Sequence, residues 1–511
     1  MKIHNTTNMK KIALYINMIG FLFLLGCNED FLETQPTDRY TEDIFWKTEG
    51  HALAGVNACY TALTSTSLYN TATIILDVIT PNAYGVYSGM NLIAGSTHDA
   101  ANTAIINGRY DANYTGVGRT NIFLVNIDQV NMDESLKSRM KGEAKFLRGL
   151  YYFDLVTFYG GVPLILDAPN LEQYLRLPRE SKAKIIEQVL KDLDEASELL
   201  PLTYEASDQG RVTKGAALAL KARVLLYEGK WDEAAAAAKA VMDLNQYSLF
   251  PDYRGLFMVE NEGNDEVIFD VQFKAPELGS NVDVTLDQFK SSIPLQDLVD
   301  AYLMIDGKPM EESPWYDPNN PYDNKDPRFY ATIVYPGAMF KGKVFLASES
   351  WTGYSQKKYT VYKDNEVPAE YISAGGRSEL NYILLRYADI LLMYAEAQNE
   401  AVGPDATVYA ALKEIRDRAG MPAVEDGLSK DAMREVIRHE RRIELAGEGL
   451  YYNDIKRWKI AENVNNGPVY TFSNEKLLDR SFDPISDYLW PIPSVAIEQN
   501  PALEQNPGYG L

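Results

Sequence analysis

The stretch GAALALKARVLLYEGKWDEAAAAAKAVMDLN, residues 215–245, reads as two short helices joined by a tight turn. Leu218, Ala222 and Leu225 recur at helical spacing before Gly229-Lys230-Trp231, and Ala234, Ala238 and Val241 recur after it. Alanine-rich faces let two helices approach closely, so this pattern is packing rather than chemistry. The first expectation is a mostly α chain built on stacked helical pairs.

Small and apolar residues fall where a tetratricopeptide repeat places them, although Lys221 stands at a position usually held by leucine and Gln246 at that of the closing proline. The same periodicity continues on both sides. Residues 143–159 carry Phe146, Leu150 and Phe153 on one line and Leu147, Tyr151, Leu155 and Phe158 on the next, until Gly160-Gly161 and Pro163 stop the helix. A second helix spans residues 183–199 and ends at Pro201. Further on, Leu384, Ala388, Leu391 and Ala395 form a stripe that Gly403-Pro404 ends, and Asp405 can cap a following helix through Ile415, closed by Gly420 and Pro422. Residues 431–446 make another helix, on which Glu435 with Arg438 and Arg441 with Glu444 read as a solvated, mildly stabilising face. Residues 246–380 differ: 10 of the 24 prolines fall there and helical periodicity fades, so this is a loop-rich insert with short strands such as 266–273. The helical scaffold then occupies about 40–245 and 381–511.

Lys10 and Lys11 after Met9, an apolar run from Ile12 to Leu25, and Gly26-Cys27 make the three parts of an export signal, residues 1–26, with Met9 as a candidate start. The run is shorter than the ~20 residues a spanning helix needs, and acidic Glu29 and Asp30 follow at once. Leu24-Leu25-Gly26-Cys27 resembles a bacterial lipobox, which makes Cys27 the lipidation site. Cys59, in an alanine-rich helical stretch, is then the remaining thiol and reads as a small buried hydrophobe, so an exported chain of this kind relies on its core and not on disulfides. The net charge of −23 becomes −26 without the first 26 residues, 46 basic against 72 acidic, which argues strongly against a nucleic-acid or anionic-lipid partner.

Several blocks together resemble the SusD/RagB nutrient-binding lipoproteins. They are Cys27-Asn-Glu-Asp-Phe-Leu, Phe45-Trp-Lys-Thr, Glu143-Ala-Lys-Phe-Leu-Arg running into Tyr159-Gly-Gly-Val-Pro, and Asp326-Pro-Arg. They continue with residues 385–397 (LRYADILLMYAEA), Ile415-Arg-Asp-Arg-Ala-Gly, Glu440-Arg-Arg-Ile-Glu-Leu through Arg457-Trp458, Pro491-Ile-Pro and Gln505-Asn-Pro-Gly-Tyr. The resemblance implies one SusD-like domain over residues 27–511, in which four tetratricopeptide-like pairs form a scaffold with the insert packed on it. It also implies an outward-facing, lipid-anchored protein of the outer membrane that captures a nutrient, delivers it to a SusC-like TonB-dependent transporter and acts as its lid. Asn28-Glu29-Asp30 resembles the acidic export tag of such surface lipoproteins.

Aromatic residues are the candidates for binding. Trp46, Trp231, Trp458 and Trp490 lie in scaffold blocks, whereas Trp315 and Trp351 lie in the insert, with Tyr316 beside one and Tyr354 near the other. Flat C–H faces of sugar rings stack on indole and phenol rings, and Asp317, Asn319 and Asn320 are placed to satisfy hydroxyls. Tyr84 and Tyr87 flank Gly85 in a turn, in a region where family members place another part of the site. The competing reading of these rings is core or rim packing. No catalytic residue, metal ligand or cofactor is assigned: His51, His98 and His439 are isolated, residues 317–323 lack the glycine and terminal glutamate of an EF-hand, and no nucleophile elbow, zinc-binding helix or phosphate loop occurs. The favoured cargo is an oligosaccharide. A peptide or other nutrient, a surface glycan-active enzyme and a helical-repeat adaptor are the alternatives.

Overall fold

The computed structural model describes residues 45–510 except 87, 169, 370, 371, 373 and 374. Cys27, the export signal and Tyr87 lie outside the described residues. The expected helical pairs form, and Asp405 caps the helix it was expected to start. They are α1 Glu49–Tyr60, α2 Ala104–Asn126, α3 Glu134–Tyr159, α4 Lys182–Leu199, α5 Lys214–Tyr227 and α6 Trp231–Asp243. After the insert come α7 Tyr387–Val402, α8 Ala406–Ala419, α9 Lys430–Glu444 and α10 Tyr451–Arg457. Asp133, Ser181, Thr213, Asp405 and Ser429 each accept a backbone N–H of the first turn, which satisfies donors a helix leaves open. Gly420 ends α8 in the left-handed conformation at φ 72°, where a side chain is costly.

Each helix packs on its neighbour in sequence, α1 on α2 and so on to α6, and α6 packs on α7. The insert therefore leaves the stack after α6 and returns the chain to the next position in it. Close approach is built in: a Cβ on Gly116 of α2 would fall within the Tyr151 ring of α3. One core cluster runs from Trp46 through Phe146, Leu225 and Ile390 to Trp490 and Leu503. Cys59 is buried in it, and burial raises its thiol to about 12.

The strands are short and pair antiparallel: β1 Ala83–Tyr84 with β3 Ile293–Pro294, β2 Val267–Val271 with β6 Tyr382–Arg386, β4 Ile333–Val334 with β5 Ser355–Gln356, and β7 Gly467–Tyr470 with β8 Lys476–Arg480. The β2–β6 ladder joins the start of the insert to its end. It also corrects the expected stripe, because Leu384 belongs to β6 and helix α7 begins at Tyr387. An apolar strand buried on both faces runs straight into an apolar helix, so the period alone does not mark the boundary.

A second correction concerns α9. Arg438 does pair with Glu435 near the surface at 3.6 Å, but Arg441 and Glu444 are fully buried and do not serve each other. Glu444 accepts from Arg328 (3.0 Å), Arg386 (2.8 Å) and Arg418 (2.5 Å), while Arg441 binds Asp454 (2.8 Å) and Asp389. Glu448 takes Arg386 and Lys358, and Glu440 takes Arg328 and Arg416, both sharing this buried layer. Arg328 and Lys358 come from the insert. The ion layer thus clamps the insert onto the scaffold. Burial opposes ionisation of Glu444, yet Arg418, Arg386 and Arg328 hold its carboxyl far below the usual range.

Candidate ligand-binding face

The Trp315 loop is shaped by its own polar groups. Ser313 donates to Asp306 (2.9 Å) and accepts from the Trp315 N–H (3.2 Å), and Asn324 donates to the Trp315 carbonyl (3.2 Å). Those contacts hold the backbone, and the indole is left 55% exposed. Asp317 closes the next turn by accepting from the Asn319 N–H (2.9 Å) and the Asn320 amide (2.8 Å), contacts that hold its carboxyl below the ordinary value. The three polar groups expected to meet sugar hydroxyls are therefore engaged with one another. Tyr316 is half-buried beside the indole.

Further along this loop, Tyr322 stacks on Phe329 and packs on Tyr335 (4.7 Å between centroids). Its hydroxyl meets that of Tyr354 at 3.2 Å, and the Tyr354 hydroxyl donates to Gln296 Oε1 at 2.6 Å. Tyr354 is fully buried, so it anchors the Trp351 loop. Burial keeps both phenols protonated and able to donate. The loops that carry Trp315 and Trp351 meet at this Tyr322–Tyr354 contact.

Trp351 is 64% exposed, on a turn that Gly353 closes with φ 84°. A Cβ on Gly353 would enter the Phe472 ring, and the Phe472 N–H donates to the Thr352 carbonyl (2.9 Å). The hairpin β7–β8 thereby adds Tyr470 and Phe472, each about two-fifths exposed, to the same edge. Between this hairpin and the short helix Gln296–Ala301 lies a cavity of about 270 Å³, lined by Asp297, Asp300, Asn465, Asn466, Tyr470 and Asn474 among others. Asp300 accepts from the Gln296 amide (2.7 Å), and partial burial raises its carboxyl above the usual value.

Tyr84 is half-buried on β1, whose partner β3 also lies against β5, the strand that follows Trp351. The structure therefore brings together the Trp315 and Trp351 loops and sets the Tyr84 strand beside their frame. The sequence reading missed Tyr322, Tyr470, Phe472 and the polar cavity. A signal existed at residues 469–474, where aromatic and polar residues alternate into a Ser473-Asn474 turn, as on a strand with one wet face. Among the described residues no three His, Cys, Asp or Glu side chains cluster as metal ligands, and no helix is long and apolar enough to cross a membrane.

The fold is a helical stack that carries a loop-rich insert, with the indoles of Trp315 and Trp351 exposed on it. The chain belongs to the SusD family. The family model so described matches residues 259–509, and a second, described as "Starch-binding associating with outer membrane", matches residues 30–226. A SusD-like protein from Bacteroides fragilis is 30% identical, with a TM-score of 0.80 over 93% of this chain and all of that one. A second structure from that organism, titled a SusD-like carbohydrate binding protein, is 27% identical with a TM-score of 0.82 over 90% of this chain and all of that one. SusD-like protein P2 of Formosa agariphila is 26% identical over 98% of this chain and all of its own length.

Proposed function

We propose that this protein captures an oligosaccharide at the outer surface of the outer membrane and passes it to a SusC-like TonB-dependent transporter, as that barrel's lid, without chemically altering it. The observation that carries the reading is the exposure of Trp315 and Trp351 on two loops locked together at their bases. A large indole carried into water by a rigid loop is poised for contact, because its apolar face is left uncovered and little loop entropy remains to be lost on binding. Tyr470 and Phe472 extend the stacking surface, and the amides and carboxylates of the neighbouring cavity suit hydroxyl groups. The starch-binding, outer-membrane-associating family matched by residues 30–226 and the carbohydrate-binding relative from Bacteroides fragilis support carbohydrate as the cargo and the outer membrane as the place. The lipobox-like Cys27 supports a tether, which keeps lid and barrel at high effective concentration when the lid swings open.

Affinity electrophoresis of protein lacking residues 1–27 through a panel of polysaccharides tests the reading. Retardation by one glycan, recovered unaltered, and its loss in a Trp315→Ala, Trp351→Ala double variant are expected. Retardation that survives in the double variant refutes this face as the site, and release of shortened glycan refutes the non-enzymatic reading. Retention of peptides instead of glycans moves the assignment to peptide cargo.

A further inference from the structure

Polar side chains around the aromatic face differ in whether they are free to meet a sugar hydroxyl. Asp317, Asn319 and Asn320, next to Trp315, are engaged with one another. The cavity of about 270 Å³ between the β7–β8 hairpin and the helix Gln296–Ala301 is different. Asp300 on its wall is exposed, and among the described residues only the Gln296 amide bonds it, at Oδ1 (2.7 Å), which leaves Oδ2 open. The Asn474 side chain and the Tyr470 hydroxyl, exposed on the same wall, have no hydrogen-bond partner among the described residues. This wall is tied to both tryptophan loops. Gln296, which donates to Asp300, accepts the Tyr354 hydroxyl (2.6 Å), and Tyr354 meets Tyr322 (3.2 Å) where the loops join. On the other side, Phe472 next to Tyr470 holds the Thr352 carbonyl beside Trp351.

Cations near the wall are turned away from it. Arg480, which lines the cavity, is buried and gives its guanidinium to the carbonyls of Val78, Thr80 and Ala83. Arg442 pairs with Asp297 and donates to Asn82 (2.8 Å), and Lys476 on β8 pairs with Asp479 (2.6 Å). Lys325, whose charge reaches Asp300, is buried and donates to the carbonyls of Val299 (3.2 Å) and Tyr302 (3.4 Å). Asp297 and Glu311 act on Asp300 with its own sign of charge. An ionised carboxylate offers acceptor sites only, and a hydrogen bond to it is stronger than one between neutral groups. The wall therefore calls for hydroxyl donors. A carboxylate or sulfate on the ligand brings no donor and meets a field of like sign.

Given that this face captures a glycan, we propose that Asp300 selects its class: the open carboxylate oxygen accepts ring hydroxyls of an uncharged glycan, and the field it shares with Asp297 and Glu311 rejects glycans bearing uronate or sulfate groups. Asn474 and the Tyr470 hydroxyl are further partners for the same sugar. Indole faces stack on a sugar ring whether or not the ring carries a charged substituent. Trp315 and Trp351 thus supply affinity, and the cavity beside them supplies the choice of cargo.

Affinity electrophoresis of the protein lacking residues 1–27, at fixed pH and ionic strength, tests this in two sets of gels. One set holds uncharged polysaccharides (soluble starch, xyloglucan, galactomannan, mixed-linkage glucan) and the other anionic ones (polygalacturonate, alginate, chondroitin sulfate). Retardation by an uncharged gel and by none of the anionic gels is expected. Asp300→Asn should weaken binding of the retarding glycan about tenfold, and Asn474→Gly several-fold, each melting at the unaltered temperature. Retardation of the unaltered protein by an anionic gel overturns the selection by Asp300 and leaves capture standing, and this arm holds however the variants fold. Affinity for the uncharged glycan that is unchanged in Asp300→Asn has the same consequence. No retardation by any gel overturns capture and selection together.

Discussion

At the scale of the residue, exposure and burial separate side chains that look alike in the sequence. Trp315 and Trp351 protrude, whereas Trp46, Trp458 and Trp490 are core, and the division between insert and scaffold had already sorted them that way. Tyr354 was not separable by sequence: it sits three residues from Trp351 and is fully buried. Single Trp315→Ala or Trp351→Ala variants should each weaken glycan binding by about 2 kcal/mol, roughly 30-fold in Kd, with little change in melting temperature, since neither ring is packed. Isothermal titration beside thermal melting checks both halves of that expectation. Glu444 behaves oppositely. Replacing it with Gln leaves Arg328, Arg386 and Arg418 short of a buried anion and should cost on the order of 3–5 kcal/mol in denaturant unfolding. The Arg-x-x-Glu spacing on α9 could not reveal this, because spacing along one helix says nothing about what packs against it.

At the scale of the element, the helices were legible wherever a 3.6-residue period met a cap and a stop. The helix after Asp405, closed by Gly420, satisfies all three conditions, and residues 183–199 and 215–245, read without a cap, still match the observed helices within a residue or two at each end. Legibility failed where two buried elements abut, as at Leu384, and where a two-residue strand is too short to show alternation. The hairpin carrying Tyr470 and Phe472 escaped for another reason: its alternation is brief, and its strands, Gly467–Tyr470 and Lys476–Arg480, are largely exposed and so lack an apolar face to mark them. Two element-scale outcomes follow from packing. Gly116→Ala should destabilise by about 1–3 kcal/mol, because the Tyr151 ring must move inside a filled core, and Asp405→Ala should cost about 1 kcal/mol through loss of the cap on α8. Urea titrations of both variants measure these costs directly. If Gly116→Ala is neutral, the close α2–α3 crossing is wrong.

At the scale of the whole molecule, buried carboxyls set the dependence of stability on pH. Burial raises Asp77, Asp270 and Asp283 to about 6 and Glu262 to about 7, all above their unfolded values. A group raised in this way contributes fully below its unfolded value and loses its contribution as pH rises through the folded one. His98 and His439, lowered by burial, act in the opposite sense in the same window but are fewer. On the acid side, Arg partners hold Glu440, Glu444, Glu448 and Asp389 low against the effect of burial, so that contribution disappears below about pH 4. The melting temperature should therefore peak near about pH 5 and fall toward about pH 7, and Asp283→Asn should flatten that descent. A melting temperature that rises steadily from about pH 5 to about pH 7 contradicts the assignment.

The architecture follows from the same balance. A stack of helices supplies the rigidity, the insert interrupts it between α6 and α7 without breaking the packing, and the buried ion layer fixes the insert so that its loops can hold aromatic rings in water. The most direct test of that arrangement as a capture surface is a calorimetric titration of the retarding glycan into the unaltered protein and into the Trp315→Ala, Trp351→Ala variant, with thermal melting run alongside. Saturable binding that the variant loses while melting at the unaltered temperature is the predicted result. Equal affinity in the two proteins contradicts the account, because the exposed indoles would then play no part in holding the ligand.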